Sequence, residues 1–284
     1  MSKYYYNKDY FCKIDTEEKA YWLGFLYADG CINRFYTNEK LRSMTLELTL
    51  CKSDREHLVK FLECIESNVP IKERRNKMNG KEYVSYRVQI NCTKMCYDLI
   101  DKGCIPCKTY TIKLPDESKV PRKFMRDFLR GYFDGDGCIS ISYKDSYAHI
   151  ESNITGMQNM MNEISVYLFD NRIVNKIPKQ NKKNNTVAVS IYFYGKDNKM
   201  FLDYIYKDSC IYLERKYDKY IDFYNNYYKE KKGYYWSETN KAFIVSIYIN
   251  GKRKRIGQYK TEEEAIIARK NAEEYKRNII NMPA

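Results

Sequence analysis

Two periodicities share the first 228 residues, and the order in which they come up repeats. Residues 44–50 place Met44, Leu46, Leu48 and Leu50 on every second position, the spacing of a strand with one buried face. Residues 83–90 do the same with Val84, Val88 and Ile90, and residues 186–194 with Val187, Val189, Ile191 and Phe193. Between such stretches, apolar residues recur every three or four positions, which predicts helices. The first half reads as a helix over 16–29, strands over 31–36 and 44–50, a helix over 53–67, strands over 70–77 and 83–90, and a helix over 93–103. The second reads as a helix over 122–136, strands over 138–143 and 146–153, a helix over 157–170, strands over 173–180 and 186–194, and a helix over 197–208. Each half is therefore αββαββα, and a closing helix is predicted near 212–228. The class is α+β: two pseudo-symmetric repeats, expected to pack through their first helices.

The repeat is also literal. WLGFLYADGCI at 22–32 is echoed by LRGYFDGDGCI at 129–139, and Cys104-Ile105 with Lys108 by Cys210-Ile211 with Lys216. In the two helices that carry the echo, Gly24 and Ala28 lie four apart, as do Gly131 and Gly135. A glycine inside a helix costs about 1 kcal/mol relative to alanine, and small residues four apart let two helix axes approach closely. The compensation expected is that these four positions form the interface between the halves. Asp15, with Glu18 three residues on, suits the N-cap of the first helix, and Pro121 the first turn of the second. Gly30 and Gly137 suit a left-handed residue that ends each helix.

Asp29 and Asp136 precede those glycines. A carboxylate at a helix C-terminus faces the negative end of the dipole, and two brought together repel. A divalent cation reverses both penalties. Oxygen ligands at an open site favour Mg²⁺, with Mn²⁺ able to substitute.

A polar joint, residues 229–233, precedes a separate module over 234–284. Phe243–Ile249 and Lys252–Tyr259 read as strands joined by Asn250-Gly251, a type I′ turn signal. Thr261 and the three glutamates after it cap a helix to about Arg277, with Ala265, Ala268, Ala272 and Tyr275 on its packing face. With one more strand this makes a small three-strand-and-helix domain. The repeats themselves divide at 1–118 and 119–228.

Composition narrows the chemistry. Lys and Arg number 50 against 37 Asp and Glu, a net charge of +13 that a fold does not need and a polyanion would use. No apolar run is long enough to span a bilayer, and the N-terminus has no apolar signal core, so neither a membrane protein nor a secreted one is expected. Ten cysteines without an export signal point to an intracellular, reducing compartment. Cys92, Cys96, Cys104 and Cys107 are spaced too tightly for two zinc-ligand pairs. Only His57 and His149 are present, which excludes histidine-rich metal nucleases, and no phosphate-binding glycine loop occurs.

Residues 22–30 and 129–137 resemble the two signature motifs of monomeric LAGLIDADG homing endonucleases, and the likeness extends over about residues 15–228. The resemblance implies that the motif helices form the interface and that Asp29 and Asp136 bind catalytic divalent metal. The earlier motif acid is Tyr27 in one copy and Asp134 in the other, and Trp22 and Arg130 depart from the pattern at packing or rim positions. A catalytic basic residue near the centre of each half, which stabilises charge or positions water, is implied as well, and Lys108 and Lys216 match it by repeat position. Saddle-shaped sheets that lie in the DNA major groove are also implied. Ser85, Arg87 and Gln89 on one strand and Ser190 and Tyr192 on another would then face bases. Glu47, between Thr45 and Thr49, would accept from cytosine or stay a surface acid. Arg74, Arg75, Lys77, Lys179, Lys182 and Lys183 sit at expected hairpins, where phosphates pass. Residues 233–278 resemble the APETALA-type (ethylene-response-factor-like) DNA-binding domain, which implies DNA contacts by Lys252, Arg253, Lys254 and Arg255.

The reading is a monomeric, site-specific, Mg²⁺-dependent double-strand DNA endonuclease of the homing type, acting on a long pseudo-palindromic target. Two rivals are a DNA-binding regulator that has lost cutting and a maturase acting on intron RNA. Abundant Lys, Asn and Tyr fit an A/T-rich phage, viral or organellar genome.

Overall fold

In the computed structural model, residues 4–78, 80–106, 112–144, 147–182, 188–226, 233–249 and 252–280 are described. The chain forms two compact units, residues 1–227 and 228–284.

The first unit opens with helix α1 (Glu17–Asp29), which runs directly into a hairpin of β1 (Gly30–Thr37) and β2 (Lys40–Cys51). Helix α2 (Arg55–Cys64), strands β3 (Lys72–Met78) and β4 (Lys81–Asn91), and helix α3 (Thr93–Asp101) complete the first half. The second half repeats the order: α4 (Met125–Asp136), β5 (Gly137–Lys144), β6 (Tyr147–Met157), α5 (Gln158–Asp170), β7 (Lys179–Lys182), β8 (Ala188–Tyr194) and α6 (Gly195–Tyr206). Helix α7 (Glu214–Asn226) closes the unit. Both halves are αββαββα, as the periodicities predict. Their sheets are antiparallel with matching strand orders, β1-β2-β4-β3 and β5-β6-β8-β7.

The alternation predicted for the strands sets the buried face. Met44, Leu46, Leu48, Leu50, Val88 and Ile90 are buried in the first sheet, and Ile139, Ile154, Val189, Ile191 and Phe193 in the second. They join one core with Trp22, Phe25 and Phe61 in the first half and Phe133 and Phe201 in the second. Cys92, Cys96 and Cys104 are buried there, each as a thiol.

Helices α1 and α4 touch along their backbones. A Cβ on Gly24 would lie 2.0 Å from the Phe128 carbonyl oxygen, one on Gly131 would lie 1.9 Å from that of Tyr21, and one on Gly135 would lie 2.2 Å from Ala28 Cβ. No side chain larger than hydrogen fits at either crossing glycine, so the two halves meet at a distance that only glycine permits.

Several local expectations are corrected. The N-cap of α1 is Thr16, whose Oγ1 accepts from the Lys19 N–H at 3.2 Å; Asp15 instead pairs with the Lys19 ammonium at 2.7 Å. Residues 122–124 form a 3-10 turn ahead of α4. Gly30 (φ −73°) and Gly137 (φ −94°) are extended, not left-handed, because each helix passes straight into its strand. Their need for glycine is steric: a Cβ would come within 2.6 Å of the Leu26 carbonyl oxygen or 2.5 Å of that of Phe133. Residues 173–178 are not strand. Arg172 takes φ 57° and the Ile173 N–H returns to the Leu168 carbonyl at 2.9 Å, so the apolar pair Ile173 and Val174 belongs to the buried exit of α5.

The second unit holds β9 (Tyr234–Ser237), β10 (Ala242–Ile249), β11 (Lys252–Tyr259) and helix α8 (Glu262–Ile280), with sheet order β11-β10-β9. Its helix starts with a reciprocal cap: Thr261 Oγ1 accepts from the Glu264 N–H while the Glu264 carboxylate accepts from the Thr261 N–H. Val245, Ile247 and Ala265 are its buried centre.

Replacing Gly24 or Gly131 by alanine should destabilise the protein by about 3 kcal/mol or more, because the obstructing atoms are backbone and cannot move aside. Urea unfolding checks this, with Gly80→Ala, whose Cβ would meet nothing within 4 Å, as the milder comparison.

Candidate functional site

The close crossing of α1 and α4 brings their C-terminal ends side by side. Asp29 and Asp136 are the last residues of these helices, and both are exposed. A Cβ on Gly135 would sit 3.4 Å from Asp29 Oδ2, so the carboxylate of one helix lies against the residue that precedes the acid of the other. The Tyr132 hydroxyl hydrogen-bonds Asp136, and burial together with that carboxylate raises the phenol's pKa. Exposed carboxylate oxygens at paired helix ends, where the dipoles disfavour them, are a donor set that fits a hard divalent cation.

Lys216 sits at the end of α4, the helix that carries Asp136. Its side chain is buried, and Nζ donates to the carbonyls of Phe133 and Asp134 at 2.7 Å and also to those of Gly135 and Gly137. It satisfies the carbonyls that end α4 and places a cation at the negative pole of that helix. Burial lowers its pKa to about 8, against the pull of Asp134 and, more weakly, Asp29. Lys108, its counterpart by repeat position, lies outside the described residues.

Asp134 was legible only as a motif position. It is fully buried and accepts three hydrogen bonds: from Tyr206 Oη at 2.6 Å, from the Leu213 N–H at 2.7 Å and from Tyr21 Oη at 2.8 Å. Burial raises its pKa while Lys216 and these donors oppose the shift. Tyr21 also meets His57 Nε2 at 2.8 Å. The phenol has one proton and gives it to Asp134, so His57 carries its proton on Nε2, and its buried Nδ1 acceptor has no hydrogen bond among the described residues. Arg130 is a packing residue in full: wholly buried, it donates to the carbonyls of Ile211 and Ile205 and pairs with Glu17 at 2.6 Å across the interface. Tyr27, the counterpart of Asp134, donates to the Lys102 carbonyl at 2.5 Å.

The faces opposite the core are polar. On the first sheet Ser85, Arg87 and Gln89 register with Cys51, Thr49 and Glu47, away from Val88 and Ile90. Arg74 registers with Ser85 and shares that face. Arg75 does not: it registers with Val84 on the other face and pairs with Glu73 and Glu82. Both arginines and Lys77 lie within β3, the first strand of the β3–β4 hairpin, with Lys77 nearest the turn. On the second sheet Ser190 and Tyr192 face away from Val189, Ile191 and Phe193. Lys179 registers with Tyr192, whose ring stacks on Tyr194 at 6.0 Å. Lys182 registers with Val189 on the opposite face, and Lys183 lies outside the described residues.

In β11 the four consecutive basic residues cannot share a face. Arg253 and Arg255 register with Tyr248 and Ser246, and the Arg253 guanidinium donates to Ser246 Oγ and lies over the Tyr235 ring. Lys254 registers with the buried Ile247 and, with Ile267 and Tyr275 of α8, lines a groove on the helix side. Lys252 opens the strand opposite Ile249.

Residues 123–206 match the family model of the LAGLIDADG-like domain. Two curated proteins of Methanocaldococcus jannaschii match over longer stretches. Replication factor C small subunit is 30% identical over 204 residues, 67% of this chain and 9% of the relative. Probable translation initiation factor IF-2 is 24% identical over 190 residues, 63% of this chain and 14% of the relative. The chain thus spans less than a sixth of the length of either one. Among solved structures, the meganuclease I-SmaMI bound to uncleaveable DNA aligns with a TM-score of 0.48 at 11% identity, over 74% of this chain and 90% of its own. The meganuclease I-AabMI bound to uncleaved DNA aligns with a TM-score of 0.46 at 15% identity, over 72% and 88%.

His57 gives the site a pH signature. Burial lowers its pKa from 6.5 to about 3. A folded-state pKa below the unfolded value means that the unfolded chain binds one more proton between these limits. Stability is therefore lost as pH falls from about 6.5 toward 3, with a slope of about 1.4 kcal/mol per pH unit from this group. Asp134, with its raised pKa, acts in the opposite sense over part of that window. A His57→Gln variant should show an acid limb flatter by about that slope in urea titrations at successive pH values.

Proposed function

We propose that this protein is a site-specific, divalent-metal-dependent double-strand DNA endonuclease of the homing type. The observation that carries the reading is the pairing of Asp29 and Asp136 at adjacent ends of two helices locked together by glycine. The match of residues 123–206 to the LAGLIDADG-like domain supports it, as does the net charge of +13.

Mg²⁺ is the proposed cation, Mn²⁺ its substitute, and the ion would supply Lewis acidity for phosphodiester hydrolysis. The chain's own contribution is placement. Asp29 and Asp136 present the oxygen ligands. Lys216 is a positioning residue that holds the end of α4 from which Asp136 projects, and Lys108 is proposed for the matching task in the first half. The Tyr132 hydroxyl orients the Asp136 carboxylate. Both acids lie in one chain, so the enzyme acts as a monomer, one acid for each strand.

Binding falls to the open sheet faces. Arg74, Ser85, Arg87 and Gln89 on the first sheet and Ser190, Tyr192 and Lys179 on the second would meet base edges and phosphates of the major groove. The two sets differ, which fits a target whose half-sites are only pseudo-palindromic. Arg253 and Arg255 would add contacts from the C-terminal module, which tethers the nuclease to flanking DNA and raises its effective concentration there.

The test is cleavage of a random-insert duplex library in Mg²⁺ by the wild type and by the Asp29→Asn/Asp136→Asn variant. The expected result is cut ends clustered on one long motif, with activity lowered at least about a hundredfold in the variant, the scale of losing a metal's charge stabilisation. Selective binding without cutting would point to a regulator, and neither would point to intron RNA.

A further inference from the structure

The open face of the first sheet carries one acid among its bases. Glu47 lies on β2, one strand in from the edge, and four side chains from three strands converge on its carboxylate. Gln89 donates to Oε2 at 3.0 Å and Arg87 Nη1 to the same oxygen at 3.5 Å. Thr49 donates to Oε1 at 3.4 Å, and Arg74 Nη1 is 3.8 Å from it. The Glu47 side chain is only 18% exposed, against 42% for that of Arg74. Among the described residues the buried Arg87 Nε has no hydrogen-bond partner, and the contact from Nη1 ties the guanidinium to Glu47.

A lone carboxylate on a surface meant for a polyanion weakens attraction to every phosphate alike. It must act through what it holds. We propose that Glu47 is a specificity-determining positioning residue. It fixes Arg74, Arg87 and Gln89 as one preorganised base-reading unit and restrains the two guanidiniums from engaging phosphate without regard to sequence. The proposal rests on the reading of this face as a DNA surface.

Two effects follow from the chemistry. Arg and Gln read guanine and adenine through paired hydrogen bonds that demand a fixed planar orientation. Side chains already held in place lose less freedom on binding, so more of that discrimination is realised. A carboxylate between two arginines also lowers the number of phosphates the face can neutralise, and non-specific affinity depends on that number. Specificity is the ratio of the two, and Glu47 raises it from both sides.

The experiment uses the full chain in Ca²⁺, with bound duplexes selected from a random-insert library and sequenced. Three proteins are compared: wild type, Glu47→Gln and Glu47→Asp. Glu47→Gln should lose about tenfold of its preference at a few neighbouring positions in one half-site and keep the other half-site intact. Its affinity for a non-specific duplex at low salt should rise about threefold, with a steeper salt dependence. Glu47→Asp keeps the charge but shortens the reach, so it should lose the same preference without the gain in non-specific affinity. Thermal midpoints should stay within about 2 °C of the wild type. Unchanged preference in both variants overturns the proposal, and so does a uniform loss over both half-sites with a lowered midpoint, which a purely structural role would give. A wild type that selects no motif overturns the endonuclease reading itself.

Discussion

Everything in the first unit depends on how closely two helices can approach. Hydrogen in place of a side chain at Gly24 and Gly131 lets the backbones of α1 and α4 touch. That contact fixes the separation of the two sheets on either side, because each helix runs without a loop into the first strand of its own sheet. The same contact sets the gap between the two acids at the helix ends. A single short distance therefore governs both the spacing of the surfaces and the placement of the two acids.

The cost of the arrangement is electrostatic. Two helix C-termini side by side place carbonyl oxygens and carboxylates in one small volume. In the second half Lys216 answers it with a buried cation shared among four carbonyls. In the first half Tyr27 ties the helix end to the Lys102 carbonyl, and Cys104 Sγ reaches the Leu26 carbonyl at 3.5 Å. A divalent cation would complete the balance.

The αββαββα order was legible because alternation and helical spacing are local, and each strand is buried on one side only. The helix contact was legible because a glycine inside a helix is destabilising unless another backbone meets it there. What escaped was whatever depends on several elements at once. Asp134 draws its donors from α1, α6 and the segment before α7, which no single window of sequence displays. Gly30 and Gly137 resemble turn formers because glycine after a helix usually is one; here the obstruction is the preceding turn's own carbonyl. Arg75 and Lys254 group with their neighbours by charge, although adjacent residues on a strand point to opposite faces. Glu47 was visible as an acid, but not as the centre of a network spanning β2, β3 and β4.

Two polar contacts across the α1–α4 interface join residues that differ between the repeats. Tyr21 of the first half meets Asp134 of the second, and Glu17 meets Arg130. By the repeat, Phe128 stands where Tyr21 does, Tyr27 where Asp134 does and Leu23 where Arg130 does. Two copies of the second half would set Asp134 against Phe128 and leave that buried carboxylate with Tyr206 and the Leu213 N–H but one donor fewer, and two copies of the first would leave Tyr21 with His57 but no acid. Either self-pairing would cost a buried polar group one of its partners. Each half is therefore matched to the other rather than to a copy of itself, through Glu17 and Tyr21 on one side and Arg130 and Asp134 on the other.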